Sequence, residues 1–322
     1  MKEKLDISMV IPLLNEEGSL PELTTWIHRV MEKHSYAYEL IFIDDGSTDN
    51  SWEVIQDLTK KYTAIKALRF NRNYGKSAAL QTGFETAIGD VVITMDADLQ
   101  DSPDEIPELY EMIISQELDL VSGWKKVRHD PIGKTLPSKL FNSVTRNISG
   151  IKLHDFNCGL KAYKNSVVKN IKVYGEMHRY IPVLAKWQGF SNIGEKIVEH
   201  RARKYGTTKF GMKRLLTGFL DLLSVTFVSK FRRKPMHFFG AFGMLSFLFG
   251  TIITISIIGI KLYKLYYHLP LRPITAQPLF YIALVAVIIG VQLFLAGFIA
   301  EMFVTIAHKE ERYLIIDKTG EK

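Results

Sequence analysis

The first 200 residues alternate short apolar runs with longer segments in which apolar residues recur every three or four positions. The short runs predict four strands, at Ile7–Ile11, Glu39–Ile43, Ala64–Arg69 and Val91–Met95. The longer segments predict the helices that connect them, at Leu20–Lys33, Asn50–Tyr62 and Ser77–Ile88. Strands that alternate with helices are typical of the α/β class, so we expect a mostly parallel sheet covered on both faces.

Two long apolar segments follow this pattern. Phe238–Ile260 is 23 residues without a charge, and Leu279–Ala300 is 22 residues whose most polar side chain is Gln292. Each is longer than the ~18 apolar residues that indicate a membrane-spanning helix. Buried core helices are the alternative, but soluble helices are rarely apolar on every face over about six turns. With three prolines between them, the segments predict a hairpin of two spans, at about 236–262 and 278–306.

The segment before the first span has a different pattern. Across residues 211–231, leucine and phenylalanine alternate with Lys213, Arg214 and Asp221. This predicts an amphipathic helix in the membrane interface, with an ordinary helix packed on the preceding domain as the alternative. The chain therefore divides into an α/β domain at 1–210, a juxtamembrane helix at 211–234, two spans within 235–308 and a tail at 309–322.

The net charge of +7 is concentrated in one place. Residues 1–200 carry 24 basic and 28 acidic side chains, whereas residues 201–234 carry 10 basic and 1 acidic. A basic segment with few aromatic residues beside a span favours phosphate groups and membrane lipids as partners, and it argues against nucleic acid. The single cysteine excludes an intrachain disulfide framework.

Basic residues also flank the predicted spans unequally. Four lie shortly before the first span and four follow the second, whereas the connecting loop holds Lys261, Lys264 and Arg272. The positive-inside rule then places both termini and the α/β domain in the cytoplasm, and the N-terminus lacks the pattern of a signal peptide. We expect a multi-pass protein of the inner membrane, whose spans could also associate into a homo-oligomer.

Carboxylates and amides follow three of the four predicted strands. They lie in Pro12–Glu17, in Asp44–Ser47 and in Asp96–Asp101. One such cluster is usually a turn or a helix cap. Three of them at the carboxyl edge of one sheet indicate a ligand site, because ligands of α/β sheets bind there.

Asp96 and Asp98 are spaced so that both carboxylates can face one divalent ion, and oxygen ligands suit Mg²⁺ or Mn²⁺. Gly75–Ser77 resembles the end of a phosphate-binding loop, but Phe70 stands where that loop needs glycine. Lys76 either contacts a phosphate or a neighbouring Asp, or is solvated. No glycine-rich dinucleotide motif follows a strand, which disfavours a nicotinamide-dependent enzyme.

Three motifs resemble glycosyltransferase family 2, whose members are inverting enzymes with the GT-A nucleotide-diphospho-sugar transferase fold. They are VIPLLNE at 10–16, DDGS at 44–47 and MDADLQD at 95–101. DFNCGLK at 155–161, EMHRYIP at 176–182 and RKYGTTKF at 203–210 resemble the polyprenyl-phosphate branch. That branch includes dolichol-phosphate mannose synthases and bactoprenol glucosyltransferases, and the two spans match the bactoprenol type. The resemblance covers nearly the whole chain.

The resemblance implies roles for the matching residues. The nucleotide-sugar pocket would comprise Pro12, Asn15, Glu16, Glu17, Asp44, Asp45, Lys76 and Asp96. The catalytic residues would be Asp98, Gln100 and Asp155, with Asp96 and Asp98 as metal ligands. The acceptor phosphate would be held by Lys161, Arg179, Arg203 and Lys209.

The implied reaction moves a hexose from a nucleotide-diphospho-sugar, with UDP-glucose as the first choice, to polyprenyl (undecaprenyl) phosphate. A phosphate monoester has a second pKa of ~6 and is already dianionic, so it needs cationic positioning more than a general base. A family 2 enzyme with a hydroxyl acceptor is the alternative, although Gln188 does not begin the Q-x-x-R-W motif of processive members. A binding protein without activity is a third hypothesis.

Overall fold

The computed structural model describes residues 5–126, 142–147, 149–201, 204 and 234–307. The chain forms two compact units, residues 1–223 and residues 224–322. The predicted amphipathic helix at 211–234 lies outside the described residues, apart from its last residue, Lys234. That helix therefore stays a prediction.

A seven-stranded sheet forms the centre of the first unit. Its strands are β1 (Ile7–Leu13), β2 (Tyr38–Asp44), β3 (Ile65–Arg69), β4 (Val91–Thr94), β5 (Leu120–Trp124), β6 (Lys161–Lys164) and β7 (Ile193–Ile197). The spatial order is β3-β2-β1-β4-β6-β5-β7. Strand β6 runs antiparallel to β4 and β5, and the other neighbouring pairs are parallel. The predicted α/β class with a mostly parallel sheet is confirmed, and the four predicted strands end within two residues of the observed ones.

Helices cover both faces of this sheet. They are α1 (Leu20–Lys33), α2 (Ser51–Lys61), α3 (Lys76–Thr86), α4 (Ile106–Ser115), α5 (Asn165–Asn170) and α6 (Ile181–Trp187). Met9 of β1 packs in the core beneath α1, α2 and α4, whereas its neighbour Val10 packs in the core beneath α3, α5 and α6. Successive strand residues point to opposite faces, so a strand buried on both sides is mostly apolar, as β1 and β2 are. Two of their buried polar residues, Ser8 and Glu39, hydrogen-bond to each other at 2.5 Å.

Two long helices form the described part of the second unit, α7 (Pro235–Tyr266) and α8 (Pro278–Ala307). Both are long and apolar enough to cross a membrane, and only 17% of the most apolar stretch of each is buried. Core helices of soluble proteins are mostly buried, so this exposure fits the predicted hairpin of spans.

Glycine residues let the two helices approach closely. A Cβ atom built on Gly290 of α8 would lie 2.6 Å from the Phe247 amide nitrogen and 2.8 Å from the Gly243 carbonyl oxygen. Gly250 of α7 has a similar contact, 2.7 Å from the Ala283 carbonyl oxygen. Small residues at such crossings allow backbone-to-backbone packing, which is a main source of helix association in lipid.

We expect Gly290→Leu to loosen the hairpin, because its side chain cannot fit without separating the backbones. Overpacking of this kind costs ~1–3 kcal/mol, so amide hydrogen exchange of residues 278–307 in detergent should be faster by about tenfold. The matched control is Gly259→Leu, since a Cβ built on Gly259 has no atom within 4 Å beyond the adjacent residues and backbone of its own helix. Equal exchange rates in the two variants would contradict the close packing.

Candidate functional site

The loops that follow β1 and β2 are held together by hydrogen bonds. Asn15 adopts a left-handed backbone conformation with φ of 57°, which asparagine tolerates better than most residues. Its backbone N–H donates to Ser47 Oγ at 2.9 Å, and its side-chain Oδ1 accepts the backbone N–H of Thr48 at 2.8 Å. Asn15 therefore fixes the shape of the strand-end edge where a ligand is expected.

The two glutamates that follow Asn15, Glu16 and Glu17, also have hydrogen-bond partners at this edge. Glu17 Oε2 accepts the backbone N–H of Asn50 at 2.9 Å, directly before α2. Glu16 Oε2 accepts a hydrogen bond from Ser19 Oγ at 3.1 Å, directly before α1. The structure thus places both carboxylates at helix starts, where negative charge is favourable.

The two aspartates after β2 face different partners. Asp44 is fully buried, and its Oδ2 lies 3.3 Å from Arg69 Nε. Asp45 accepts the backbone N–H groups of Tyr74 at 2.7 Å and Gly75 at 3.0 Å, directly before α3. Burial raises the pKa of Asp45, and these two hydrogen bonds oppose the rise. Asp45 therefore positions the first residues of α3.

The first residue of α3, Lys76, is ion-paired with Asp96 at the end of β4. Burial alone would raise the pKa of Asp96, but the charge and hydrogen bond of Lys76, together with Lys125 and Lys161, lower it to about 2. The Asp96 carboxylate is therefore ionised at neutral pH. About a third of the side chain, 34%, remains exposed to solvent.

A small cavity of about 20 Å³, enough for roughly one water molecule, lies beside this ion pair. It brings together four of the predicted site residues, Pro12, Lys76, Asp96 and Lys161. Gly159 also lines it, and a Cβ atom built there would lie 2.6 Å from Asp96 Oδ2. Glycine at this position therefore leaves room for the carboxylate.

The loop after Asp96 buries the second predicted metal ligand. Leu99 has φ of 61°, and Asp98 is 7% exposed. The Gln100 N–H donates to Asp98 Oδ1 at 3.2 Å, and Gln100 Nε2 donates to the Arg201 carbonyl at 3.4 Å. The Gln100 side chain is thus held toward the chain that follows β7.

Prediction from sequence missed a buried ion pair next to these carboxylates. Lys125 Nζ lies 2.6 Å from Oδ1 of Asp101, which has no solvent exposure. Burial raises the pKa of Asp101, and the nearby carboxylates of Asp96 and Asp98 add to this effect. Burial acts to lower the pKa of Lys125, but Asp101 overrides it and raises that pKa. Lys125 directly follows β5, so the strand-end rule could have identified it.

His178 was also missed as a site residue. It lines the same cavity, and its Nδ1 lies 3.1 Å from Ser77 Oγ. Burial, with the positive charges of Lys76 and Arg179, lowers the pKa of His178 to about 2. Its imidazole is therefore neutral and can serve as a hydrogen-bonding group. The EMHRYIP motif contains it, but nothing in the motif alone distinguishes it from its neighbours.

Lys125→Met is expected to destabilise the first unit by about 3–5 kcal/mol, because it leaves the buried Asp101 without its cation. Chemical denaturation of the full chain in detergent, followed by tryptophan fluorescence, measures this loss. All four tryptophans lie in the first unit. Adding Asp101→Leu should restore part of the stability, since the unpaired charge is then removed. A loss below about 1 kcal/mol for Lys125→Met would contradict this account.

The predicted acceptor-side residues are only partly described. Lys161 begins β6, is almost fully buried and donates its Nζ to the Cys158 carbonyl; burial lowers its pKa. Arg179 lies 3.3 Å from the Glu176 carboxylate. Asp155 is buried, and its Oδ1 accepts the Asn157 N–H at 3.0 Å. Arg203 and Lys209 lie outside the described residues.

Comparisons with known proteins agree with this architecture. The family model of glycosyl transferase family 2 matches residues 8–172. The chain is 35% identical to dodecaprenyl-phosphate galacturonate synthase of Rhizobium johnstonii, over 96% of this chain and 90% of that protein. It is 37% identical to undecaprenyl-phosphate 4-deoxy-4-formamido-L-arabinose transferase of Pseudomonas fluorescens, over 77% of this chain and 72% of that protein.

Solved structures share the fold at low sequence identity. Glucosyl-3-phosphoglycerate synthase of Mycobacterium tuberculosis, in complex with Mn²⁺ and UDP-glucose, aligns with a TM-score of 0.54 and 18% identity, over 70% of this chain and 79% of that one. Mannosyl-3-phosphoglycerate synthase of Rubrobacter xylanophilus aligns with a TM-score of 0.56 and 15% identity, over 69% of this chain and 74% of that one. These likenesses concern the GT-A fold, which they support.

Proposed function

The chain belongs to glycosyl transferase family 2, and from this premise we propose that it transfers a sugar from a nucleotide-diphospho-sugar to a polyprenyl phosphate. We infer the acceptor class from the similarity to dodecaprenyl-phosphate galacturonate synthase. This similarity extends over 96% of the chain and so includes the apolar helices. A lipid acceptor explains why a GT-A unit and a pair of membrane-length helices occur in one chain.

The arrangement of charges supports a reaction between two phosphate-bearing substrates. The pKa of the Asp96 carboxylate is lowered by three lysines, Lys76, Lys125 and Lys161. An acceptor phosphate that approaches a donor diphosphate is repelled by it, and fixed cations offset this repulsion. We assign phosphate contacts to Lys161 and Arg179 and, beyond the described residues, to Arg203 and Lys209.

The two carboxylates that follow β4, Asp96 and Asp98, offer the oxygen ligands that a divalent cation prefers. The described residues contain no group of three or more His, Cys, Asp and Glu side chains that could hold a metal ion. Mg²⁺ is usually bound by one or two carboxylates, and water and substrate phosphates fill its remaining coordination positions. We propose that Asp96 and Asp98 hold Mg²⁺ or Mn²⁺, which would neutralise charge on the departing nucleoside diphosphate.

The remaining predicted residues receive roles that suit their positions. Pro12 borders the cavity at Asp96, and Asp44 lies at the adjacent strand end, so both fit the nucleotide side of the site. We propose that Asp155 orients acceptor-side cations and that no general base is needed, because the attacking phosphate oxygen is already ionised. In-line attack would invert the configuration at the anomeric carbon.

UDP-glucose is the donor that we would test first. The relatives are named for galacturonate and for 4-deoxy-4-formamido-L-arabinose, so the donor panel should include acidic and amino-substituted sugars as well. GDP-mannose and UDP-N-acetylhexosamine complete it.

The unequal distribution of basic residues around the two helices supports a multi-pass protein with both termini and the GT-A unit in the cytoplasm.

The test supplies the full chain with labelled sugar nucleotides and polyprenyl phosphate, with and without EDTA. We expect label in a lipid that mild acid hydrolyses, because glycosyl phosphates are acid-labile, and we expect EDTA to abolish its formation. Polyprenol without the phosphate is the control acceptor. Transfer to polyprenol, or an acid-stable product, would overturn the proposal and point to a hydroxyl acceptor. Transfer that is unaffected by EDTA would overturn only the metal assignment.

A further inference from the structure

We propose that the loop end of the helix hairpin binds the phosphate headgroup of an anionic lipid. A cavity of about 440 Å³ lies where α7 ends and α8 begins. Three cationic side chains line it, Lys261, Lys264 and Arg272. This volume falls within the range of ligand-binding clefts.

No described residue compensates the charge at this cavity. None of the three cations forms an ion pair or a side-chain hydrogen bond with another described residue. Glu301 is the one acidic residue among residues 234–307, and its carboxylate accepts the Met236 N–H at 3.1 Å, at the opposite end of α7. Three like charges repel one another, so an anion among them lowers their free energy.

The rest of the lining identifies an amphiphile as the ligand. Ile260, Leu271 and Leu279 contribute apolar walls, and Gln277 adds a polar group that can hydrogen-bond an oxygen. The apolar surfaces of α7 and α8 begin directly at this cavity. A lipid phosphate matches both parts, because its headgroup meets the cations while its chains run along the helices.

Isolated lysines at helix ends commonly extend to the membrane surface without binding any particular lipid. The two explanations differ in what they predict for lipid binding. Surface extension requires no saturable site and no dependence on these three residues together. A headgroup site requires both, and it does not depend on sugar transfer by the first unit.

The test counts lipids bound to the full chain in an uncharged detergent by native mass spectrometry. The probe is phosphatidic acid, with phosphatidylcholine as the neutral lipid. We expect the variant K261S/K264S/R272S to hold about one phosphatidic acid fewer per chain, or to bind it about tenfold more weakly. The control variant K33S/K60S/K172S removes three exposed cations from the first unit and should bind as the wild type does.

Two further measurements are needed, one to separate loss of charge from misfolding and one to distinguish a lipid phosphate from free phosphate. The variant K261R/K264R keeps the charge and should retain the bound lipid, which separates loss of charge from misfolding. Inorganic phosphate, at concentrations that equal the lipid, should not displace it. Equal loss in the control variant, no loss in the loop variant, or displacement by inorganic phosphate would each overturn a lipid headgroup site.

Discussion

Replacing Asp96 by Asn is expected to lower kcat/KM for sugar transfer by about a thousandfold or more. The pKa of the Asp96 carboxylate is lowered by Lys76, Lys125 and Lys161. Asp96 is also one of the two proposed cation ligands. Removal of one preorganised electrostatic group from an active site typically costs about 10²–10³ in rate. The loss of a metal ligand adds to this cost.

Transfer of labelled sugar to polyprenyl phosphate measures the effect, and calorimetric titration with Mn²⁺ in the presence of the nucleoside diphosphate measures cation binding separately. Asp57→Asn is the matched control, because Asp57 is exposed and pairs only locally with Lys60. Asp98→Asn should weaken cation binding as well. A loss of less than about tenfold in the Asp96 variant would remove Asp96 from the site.

Gly159→Ala is expected to lower transfer by about a hundredfold although it adds a single methyl group. The new Cβ would lie 2.6 Å from Asp96 Oδ2 and 2.7 Å from its Cγ, so the carboxylate has to move. Displacements of this size at a reacting centre cost about 10² in rate. The backbone φ of Gly159 is not in the left-handed region, so alanine causes no backbone strain there.

Activity and thermal unfolding, measured on the same preparation, separate displacement of Asp96 from misfolding. We expect a large loss of activity with a small change in the unfolding temperature. Gly259→Ala adds the same methyl group at a position with no atom within 4 Å beyond the adjacent residues and backbone of its own helix, so it should leave activity unchanged. If Gly159→Ala keeps wild-type activity, the position of the Asp96 carboxylate is not critical.

The sheet was predictable because its parallel half is built from local repeats. Three of its strands, Ile7–Leu13, Tyr38–Asp44 and Val91–Thr94, are mostly apolar. Each is followed by the helix or polar loop that the pattern predicts. Consecutive parallel strands end at one edge, so Asp44 and Asp96 could be assigned to a common site from their positions alone.

The other half of the site depends on long-range pairing. Strand β6 inserts antiparallel between β4 and β5, and this brings Lys161 and Gly159 next to Asp96. Hydrophobic periodicity carries no information about such an insertion, so Lys161 was identified only through a family motif. His178 was missed for the same reason, whereas Lys125 directly follows β5 and could have been identified from that position.

Some predicted ligands have structural partners that the sequence did not reveal. Glu17 accepts the backbone N–H of Asn50, and Asp45 accepts those of Tyr74 and Gly75. A carboxylate before a helix can serve either as a cap or as a ligand. Motif position alone cannot separate the two, whereas the distances show that these side chains shape the loops. Their assignment to the nucleotide pocket stays a prediction.

The ion pair between Lys76 and Asp96 gives the protein an internal substitute for the cation. The lysine ammonium offsets the charge of the Asp96 carboxylate, so we expect the first unit to fold without a metal. A chelator that stops transfer should therefore leave the unfolding temperature unchanged. On the proposed assignment, a cation that binds Asp96 would release Lys76, whose ammonium group would then be available to the donor phosphates.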